Sequence, residues 1–457
     1  MKKLTILLLA LFFPLFSMAQ SAEKSFTKGK EYYDKKDYKS AVEWYKKAAE
    51  KGHVVAQANL GYMYEYGEGV SQDNSIACVW YEKASKQGDL KAQECLANLK
   101  AKMSDESGIL TLDSSFFEPI TSEVDFYKGK ECYDSKEYEK AIEYFRKAAE
   151  QGEPNAQYNL GIMYSQGLGV SQDNTIAFNW LRKAAVNGVA EAQFYTALCY
   201  EKGLGVDINS TQTVYWLKKA AEQGEPHAQL ALGILYAKGE GVGITQDNIQ
   251  AYNWLKKAAE QGLAEAQYSL GICYSKGQGV PKDYAQAITW YKKASEQGLA
   301  EAQYDLGVCY ANGQGVSKDY KQAVSWYRKA AEQGLAEAQY NLGVCYYNGR
   351  SVPKDYYKAV SWYRKAAEQD MAKAQYNLGV CYSNGQGVSK DYKQAVSWYR
   401  KAAEQGLAEA QYNLGLCYEN SLGVTRNNTQ AFNLYKKAAN QGYENAKQRL
   451  QVLNARK

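Results

Sequence analysis

The chain has 457 residues, with 55 Lys and Arg residues against 50 Asp and Glu residues and a formal net charge of +5. The basic residues are spread along the chain, which is typical of solvated helix faces and excludes the clustered basic footprint of a nucleic-acid-binding protein. The length exceeds that of one ordinary hydrophobic core, so the chain requires several domains or a repeat architecture.

Residues 1–19 have the organisation of a secretion signal. Two lysines follow the initial Met, residues 4–16 are mostly apolar, and the sequence SMA at residues 17–19 provides a small-x-small cleavage site. The apolar run is short and contains Pro14, so it does not fit a permanent membrane span. We therefore predict cleavage near Ala19, export to the periplasm or the extracellular space, and no membrane span in the mature chain.

The next residues form a short block of helix pairs, which we place at residues 20–102. Residues 26–52 predict two helices joined by a tight turn, and residues 56–88 predict a second pair with a longer loop. Residues 91–102 predict one more helix without a partner, which suits a cap. The stretch 103–122 lacks the pattern and carries Ser, Asp and Gly, so we interpret it as a linker.

After the linker the chain repeats its own beginning and continues as a main array, at residues 123–457. The sequence KGKE at residues 128–131 matches residues 28–31 at an offset of 100 residues, which indicates a duplicated block. Eight repeats then follow between residues 155 and 442. A final helix at residues 443–457 has the polar character that the end of a stack of repeats needs.

Each repeat predicts two helices, which we call helix A and helix B, as the copy at residues 301–334 illustrates. Apolar residues recur at helical spacing in its first half, and Gly313 ends helix A. Asp319 and Gln322 have the spacing of a capping box at the start of helix B, and Gly334 ends that helix. A unit this short cannot bury its own apolar face, so the copies must stack into a continuous core.

Two copies of this unit are nearly identical. The copies at residues 301–334 and 373–406 lie two periods of 36 residues apart. They differ only at positions 301/373, 305/377 and 311/383. A fixed period of this kind is the sequence signature of a solenoid.

The repeated pattern AxAQxxLGxxYxxGxGVxxDxxxAxxWxxKAAxxG resembles that of the Sel1-like repeat family, a branch of the tetratricopeptide-type helical solenoids. The resemblance covers nearly all of the chain from Phe26 to the C-terminus. The copy that begins near residue 337 carries the pattern at Ala338, Gln339, Leu342, Gly343, Tyr346, Gly349, Asp355, Ala359, Trp362, Ala366 and Ala367. The resemblance implies an all-α fold, a right-handed α/α superhelix of helix pairs, and a non-enzymatic protein-interaction scaffold.

An enzymatic alternative follows from the same resemblance, because secreted cysteine-rich members of the family have been linked to penicillin binding and hydrolysis. The Ser-x-x-Lys element occurs at residues 25–28 and 351–354, but no Ser-Asp-Asn or Lys-Thr-Gly element accompanies it. The two histidines, His53 and His227, are far apart in the array, which argues against a His-based triad or a zinc site. We therefore predict no catalytic residue, no metal and no cofactor, and keep a penicillin-binding or β-lactamase-like enzyme as the alternative.

One position of helix A carries a cysteine in six repeats. The cysteine-rich relatives pair this residue with a second cysteine near the end of helix B, where this chain has Ala or Ser, as at Ala331 and Ser295. Adjacent copies are expected to lie about 10 Å apart, the spacing of packed helices, which is beyond the reach of a disulfide. We therefore expect buried thiols. They are Cys199, Cys273, Cys309, Cys345, Cys381 and Cys417.

The predicted partner-binding surface lies on helix A, opposite its packing stripe. In tetratricopeptide-type solenoids this side of helix A lines the concave groove, so the resemblance implies a protein or peptide partner there. Tyr recurs on this side, and Asn before the Leu-Gly pair resembles the Asn by which some of these proteins hold a peptide backbone. The candidate contact residues are Tyr304, Tyr340, Tyr376, Tyr412, Tyr347, Asn341, Asn377 and Asn413. The alternative is that they are solvated or pack between repeats.

Overall fold

A computed structural model describes residues 17–87, 89–105 and 121–455. All regular secondary structure within these ranges is helical, which confirms the predicted all-α class. The chain divides into two compact units, Met1–Glu118 and Pro119–Lys457. Most of the predicted secretion signal and most of the predicted linker lie outside the described residues. In the ranges given above, no helix combines the length and the apolar character that crossing a membrane requires.

The first unit, in its described residues, is a stack of five helices in which each helix packs on the next. They are α1 (Ser17–Asp34), α2 (Tyr38–Glu50), α3 (Val54–Tyr66), α4 (Asn74–Lys86) and α5 (Leu90–Asp105). The first four helices form the two predicted pairs. The fifth packs on α4 and continues the stack, in agreement with the single helix predicted at the end of this block.

The second unit continues the same arrangement over nineteen helices in the part of the chain that is described. Even-numbered helices up to α22 are helix A of a pair and odd-numbered ones are helix B, and α24 packs on the last pair. The helices are α6 (Thr121–Asp134), α7 (Tyr138–Glu150), α8 (Pro154–Gln166), α9 (Asn174–Val186), α10 (Ala190–Lys202), α11 (Ser210–Glu222), α12 (Pro226–Lys238), α13 (Asn248–Glu260), α14 (Ala264–Lys276), α15 (Tyr284–Glu296), α16 (Ala300–Asn312), α17 (Tyr320–Glu332), α18 (Ala336–Asn348), α19 (Tyr356–Glu368), α20 (Ala372–Asn384), α21 (Tyr392–Glu404), α22 (Ala408–Asn420), α23 (Asn428–Asn440) and α24 (Glu444–Ala455).

The helix ends in the copy at residues 301–334 lie where the capping residues predict them. Helix α16 ends at Gly313, which has a left-handed φ of 73°, and Asp319 is the N-cap of α17. The Asp319 carboxylate accepts the backbone N–H of Gln322 at 3.1 Å. The second half of the predicted capping box differs, because the N–H of Asp319 donates to the Tyr310 carbonyl at 2.9 Å. This bond ties the start of helix B to the end of helix A.

Helix A and helix B of one repeat approach closely because a glycine lies at their contact. A Cβ atom on Gly307 would lie 2.7 Å from the ring of Tyr327, too close for any larger residue. Tyr327 is buried and is the main aromatic side chain of this contact. Trp326, which takes the Trp position of the repeat pattern, is only partly buried, and Nζ of Lys329 lies 4.2 Å from its ring centre. The tryptophan therefore combines packing with a cation–π contact.

The apolar core continues from one repeat to the next. One cluster of buried side chains runs from Ala323 in α17 to Cys381 in α20. The loop between the helices also contacts the preceding repeat, because Gly315 has a φ of 69° and its Cβ would lie 2.6 Å from the carbonyl carbon of Tyr284. Ser351 takes this position in the next copy with a φ of 54°. A non-glycine residue in this conformation costs on the order of 1 kcal/mol.

A buried glutamine, present in nine repeats, joins three helices by hydrogen bonds. Gln339 in α18 donates to the carbonyl of Ala331, at the end of the preceding helix B, at 3.2 Å. It accepts from the amide of Gln369, which follows helix B of its own repeat, at 2.9 Å. We call this arrangement the glutamine ladder. Its other members are Gln57, Gln157, Gln193, Gln229, Gln267, Gln303, Gln375 and Gln411.

Deleting residues 336–371, one complete repeat, is expected to leave a folded protein. Leu335 would then join Ala372 in the same register, and the loss is limited to one repeat and one interface. Circular dichroism should show the helical content of the shortened chain and a thermal transition. Deleting residues 336–353, which removes helix A without helix B, is the control and should disrupt the stack. Equal loss of structure in both variants would contradict the solenoid architecture.

Replacing Gln339 by Leu should lower the stability of the array. The change removes one buried and one partly buried hydrogen bond, each worth about 0.5–1.5 kcal/mol, so we expect a loss of about 1–3 kcal/mol. The midpoint of urea denaturation, followed by circular dichroism, measures it. Gln322, which is exposed on helix B, provides the matched control, and its replacement by Leu should leave the midpoint almost unchanged. Equal midpoints for the two variants would show that the ladder does not stabilise the stack.

Candidate partner-binding surface

The predicted tyrosines lie at one position of four successive A helices, and all are half-buried. Each ring packs against the buried core tyrosine of helix B in its own repeat, with ring centroids 5.6–6.0 Å apart. The rings are therefore held in place by the core while part of each remains accessible. The pairs are Tyr304 with Tyr327, Tyr340 with Tyr363, Tyr376 with Tyr399, and Tyr412 with Tyr435.

The predicted asparagines join the tyrosines of adjacent repeats. Nδ2 of Asn341 donates to the hydroxyl of Tyr304 at 3.4 Å. Nδ2 of Asn413 donates to Tyr376 at 3.5 Å, and the side chain of Asn377 hydrogen-bonds to Tyr340. The structure thus brings these seven predicted residues, the four tyrosines and the three asparagines, into one continuous Tyr–Asn row. The contacts give the row a part in stacking the repeats, and its part in binding stays a prediction.

The last predicted contact residue, Tyr347, lies near the end of α18 at a position that varies between copies. Its ring packs 5.1 Å from that of Tyr356, and its hydroxyl donates to Oε1 of Gln386 in the next repeat at 2.9 Å. In another copy the residue at this position is Ser275, which accepts a hydrogen bond from the Tyr291 hydroxyl at 3.1 Å. Variation here therefore changes contacts within the fold, and partner binding by Tyr347 stays a prediction.

Carboxylates lie close to the Tyr–Asn row. Burial raises the pKa values of Tyr340 and Tyr376, and the carboxylate of Glu409 raises both further. The hydroxyls of these tyrosines therefore remain protonated at neutral pH and can donate hydrogen bonds. By contrast, helix B of the same repeats carries an Arg-Lys pair near its end, as in α17, α19 and α21.

Asp305 is a member of the row that the sequence analysis did not select. It occupies the Asn position in α16, and its Oδ2 accepts a hydrogen bond from the hydroxyl of Tyr268 at 3.0 Å. Position 305/377 is one of the three positions at which two nearly identical copies differ. That difference was the available signal, but its meaning depends on Tyr268, which lies one repeat earlier.

The six helix A cysteines are buried free thiols, as expected from their position. Burial raises the pKa of Cys309, Cys345 and Cys417 to about 11 and that of Cys381 to about 12. A thiol with such a pKa is almost entirely protonated at neutral pH and is a poor nucleophile. These cysteines therefore serve as small core residues.

The lysines of both Ser-x-x-Lys elements lie over aromatic rings. Nζ of Lys28 lies 4.1 Å from the ring centre of Trp44, and Nζ of Lys354 lies 4.8 Å from that of Tyr356. The hydrogen bond with Tyr356 is the main cause that raises the pKa of Lys354. A lysine that activates a serine as a general base needs the opposite change, a lowered pKa.

Comparison with known sequences gives matches along most of the chain. The family model described as Sel1 repeat matches eleven segments, at residues 21–53, 54–89, 126–153, 154–189, 190–225, 226–263, 264–299, 300–335, 336–371, 372–407 and 408–443. The chain is also 36% identical over 148 residues to DAP3-binding cell death enhancer 1 of Rattus norvegicus. That match covers 30% of this chain and 28% of the relative's length.

Two solved structures are similar over larger parts of the chain. A protective antigen present in uropathogenic Escherichia coli strains, with an SLR fold, is 35% identical with a TM-score of 0.65. The match covers 97% of this chain and 91% of the antigen. A Sel1 repeat protein from Oxalobacter formigenes is 33% identical with a TM-score of 0.53, over 68% of this chain and 90% of the other.

The helix A thiols are expected to resist alkylation in the native protein. Their burial and raised pKa values keep the thiolate scarce at pH 8 and sterically protected. Mass spectrometry after iodoacetamide treatment, before and after unfolding in guanidinium chloride, counts the modified residues. Cys78, Cys95 and Cys132, which are only half-buried, are the internal controls and should react first. Disulfides among the six helix A cysteines in the purified protein would contradict the prediction.

Proposed function

Because this chain belongs to the Sel1 repeat family, we propose that it is a protein-interaction scaffold without chemistry of its own, which binds a protein or peptide along its A helices. The observation that carries the proposal is the continuous Tyr–Asn row. It runs through α16, α18, α20 and α22, with a ring and an amide supplied by successive repeats. A partner that follows this direction meets several similar contacts in succession.

The side chains of the row suit recognition of an extended segment. Tyrosine rings provide a large contact area, and those already held by the core lose little conformational entropy on binding. An asparagine amide can donate and accept at the same time, so an amide held by a tyrosine hydroxyl can also contact a peptide backbone. The name of one relative, DAP3-binding cell death enhancer 1, describes that relative as a protein-binding protein, which supports the same class of function here.

We also propose that the protein is exported. The proposal rests on the N-terminal sequence, in which a basic start, an apolar run and a small-x-small site follow in order. Buried thiols with raised pKa values are compatible with an oxidising compartment, because thiolate formation limits their oxidation.

The enzymatic alternative has less support. Lys28 and Lys354 lie over aromatic rings, and the pKa of Lys354 is raised, so neither has the environment of a general base. Absence of turnover of a chromogenic β-lactam by the purified protein would favour the scaffold. Turnover that is lost in Ser351→Ala would favour the enzyme.

Replacing both Tyr340 and Tyr376 by Ala should weaken partner binding by about 1–3 kcal/mol per ring. The partner is first captured from an extract with immobilised residues 20–457 and then titrated by isothermal calorimetry. Replacement of Arg328 and Arg364 on helix B by Ala is the surface control and should change the affinity little.

Phe at both tyrosine positions is a second control, because it keeps the rings and their packing. This variant should bind almost as tightly as the parent if the ring supplies the contact area. Circular dichroism must show that all variants are folded, since each ring also packs on helix B. A folded Ala variant with the parent's affinity would show that the row is not the binding surface.

A further inference from the structure

The Tyr–Asn row carries different charges in different repeats. Glu301 and Glu337 are exposed at the starts of α16 and α18, and the half-buried Asp305 lies one turn after Glu301. In α20 the residues at the same two positions are Lys373 and Asn377. We call Glu301, Asp305 and Glu337 the acidic segment of the row.

Asp305 places a carboxylate where other copies have an amide. Burial raises the pKa of Asp305, whereas the hydrogen bond from Tyr268 and the positive charge of Lys276 lower it. The carboxylates of Glu301 and Glu337 raise the pKa further. A half-buried carboxylate among like charges is less favourable than the Asn used elsewhere in the array. Asp305 accepts a hydrogen bond from the Tyr268 hydroxyl, but an Asn side-chain oxygen can fill the same role, so this contact does not account for the negative charge.

We propose that the acidic segment binds a Lys or Arg side chain of an extended peptide that lies along the Tyr–Asn row. This inference rests on the proposed function and specifies the chemistry of the partner. A cation placed beside Asp305 would be attracted by three carboxylates, against the like charge of Lys276, and the neighbouring Tyr304 and Tyr268 rings could add cation–π contacts. The occupant is thus a basic peptide segment, matched by charge to this part of the row.

The overall charge of the chain opposes binding of a basic peptide, so a preference for one must come from local charges. With a formal net charge of +5, the protein as a whole repels a basic peptide. The B helices, with their Arg-Lys pairs, repel it as well. Binding of a basic peptide therefore depends on local carboxylates, of which the acidic segment has three, and it should weaken with added salt.

The chain itself supplies the variant that tests this proposal. The substitutions Glu301→Lys, Asp305→Asn and Ala311→Ser make residues 301–334 identical to residues 373–406. The variant repeat is therefore one that already folds within this array. The probe is a fluorescein-labelled Gly/Ser peptide with evenly spaced lysines, and matched peptides carry Gln or Glu instead. Fluorescence anisotropy at low ionic strength measures the affinity.

We expect the parent to bind the lysine peptide in preference to the other two, and the triple variant to bind it about tenfold more weakly or worse. Glu296→Gln with Glu332→Lys is the control, because it changes the net charge by the same amount at exposed ends of B helices. Its affinity should equal that of the parent. The reciprocal change, which introduces the acidic residues at positions 373 and 377, should strengthen binding.

The outcomes separate this inference from the proposed function. Equal binding of the lysine peptide by the parent and the triple variant would overturn the acidic segment as a binding site, and so would failure of the parent to prefer that peptide. If replacing Tyr340 and Tyr376 by Ala still lowers the affinity for the captured partner, the row itself remains the binding surface. If neither this double variant nor the triple variant binds the partner more weakly, both proposals fail.

Discussion

The structure depends on the buried glutamine of helix A, because this one side chain holds three helices in register. The glutamine side chain donates a hydrogen bond to the carbonyl at the end of the preceding helix B. It accepts a second hydrogen bond from the glutamine amide that follows helix B of its own repeat. Gln375 in the ladder has no exposed surface, so its amide depends on protein partners alone. Because the bond to the carbonyl of the preceding helix B crosses a repeat boundary, the stability of a repeat is shared with its neighbour.

The register set by the ladder brings residues one period apart into contact on the surface. Asn341 reaches Tyr304 of the preceding repeat, and Arg364 donates to the hydroxyl of Tyr382 in the following repeat at 2.9 Å. The side chains that form this surface row of rings and amides also make contacts between adjacent repeats and so help to stack them. Recurrence alone therefore cannot separate binding residues from packing residues here. A residue that departs from the stable pattern, as Asp305 does, is the better indication of function.

The sequence predicted the fold well because its signals are local. Asp319 and Gly313 mark helix ends through their own backbone and side-chain chemistry. Helical spacing does not distinguish neighbouring positions, so it does not show that Trp326 is only partly buried whereas Tyr327 is buried. The role of Gln339 was missed because a polar residue in a helix is usually exposed, and its partners lie in two other helices. The row was predicted, but its links between repeats required the structure.

The near-identical copies show how a solenoid can change its surface without changing its core. Of the three positions at which they differ, 301/373 is exposed and 305/377 lies half-buried in the Tyr–Asn row. At the third, Ser383 hydrogen-bonds to Tyr399 of its own repeat at 3.2 Å. An exposed Glu-to-Lys difference has little effect on stability, whereas it reverses the charge offered to a ligand. An unchanged apolar core with a different surface charge is therefore a physical route by which stacked repeats can distinguish successive residues of one partner.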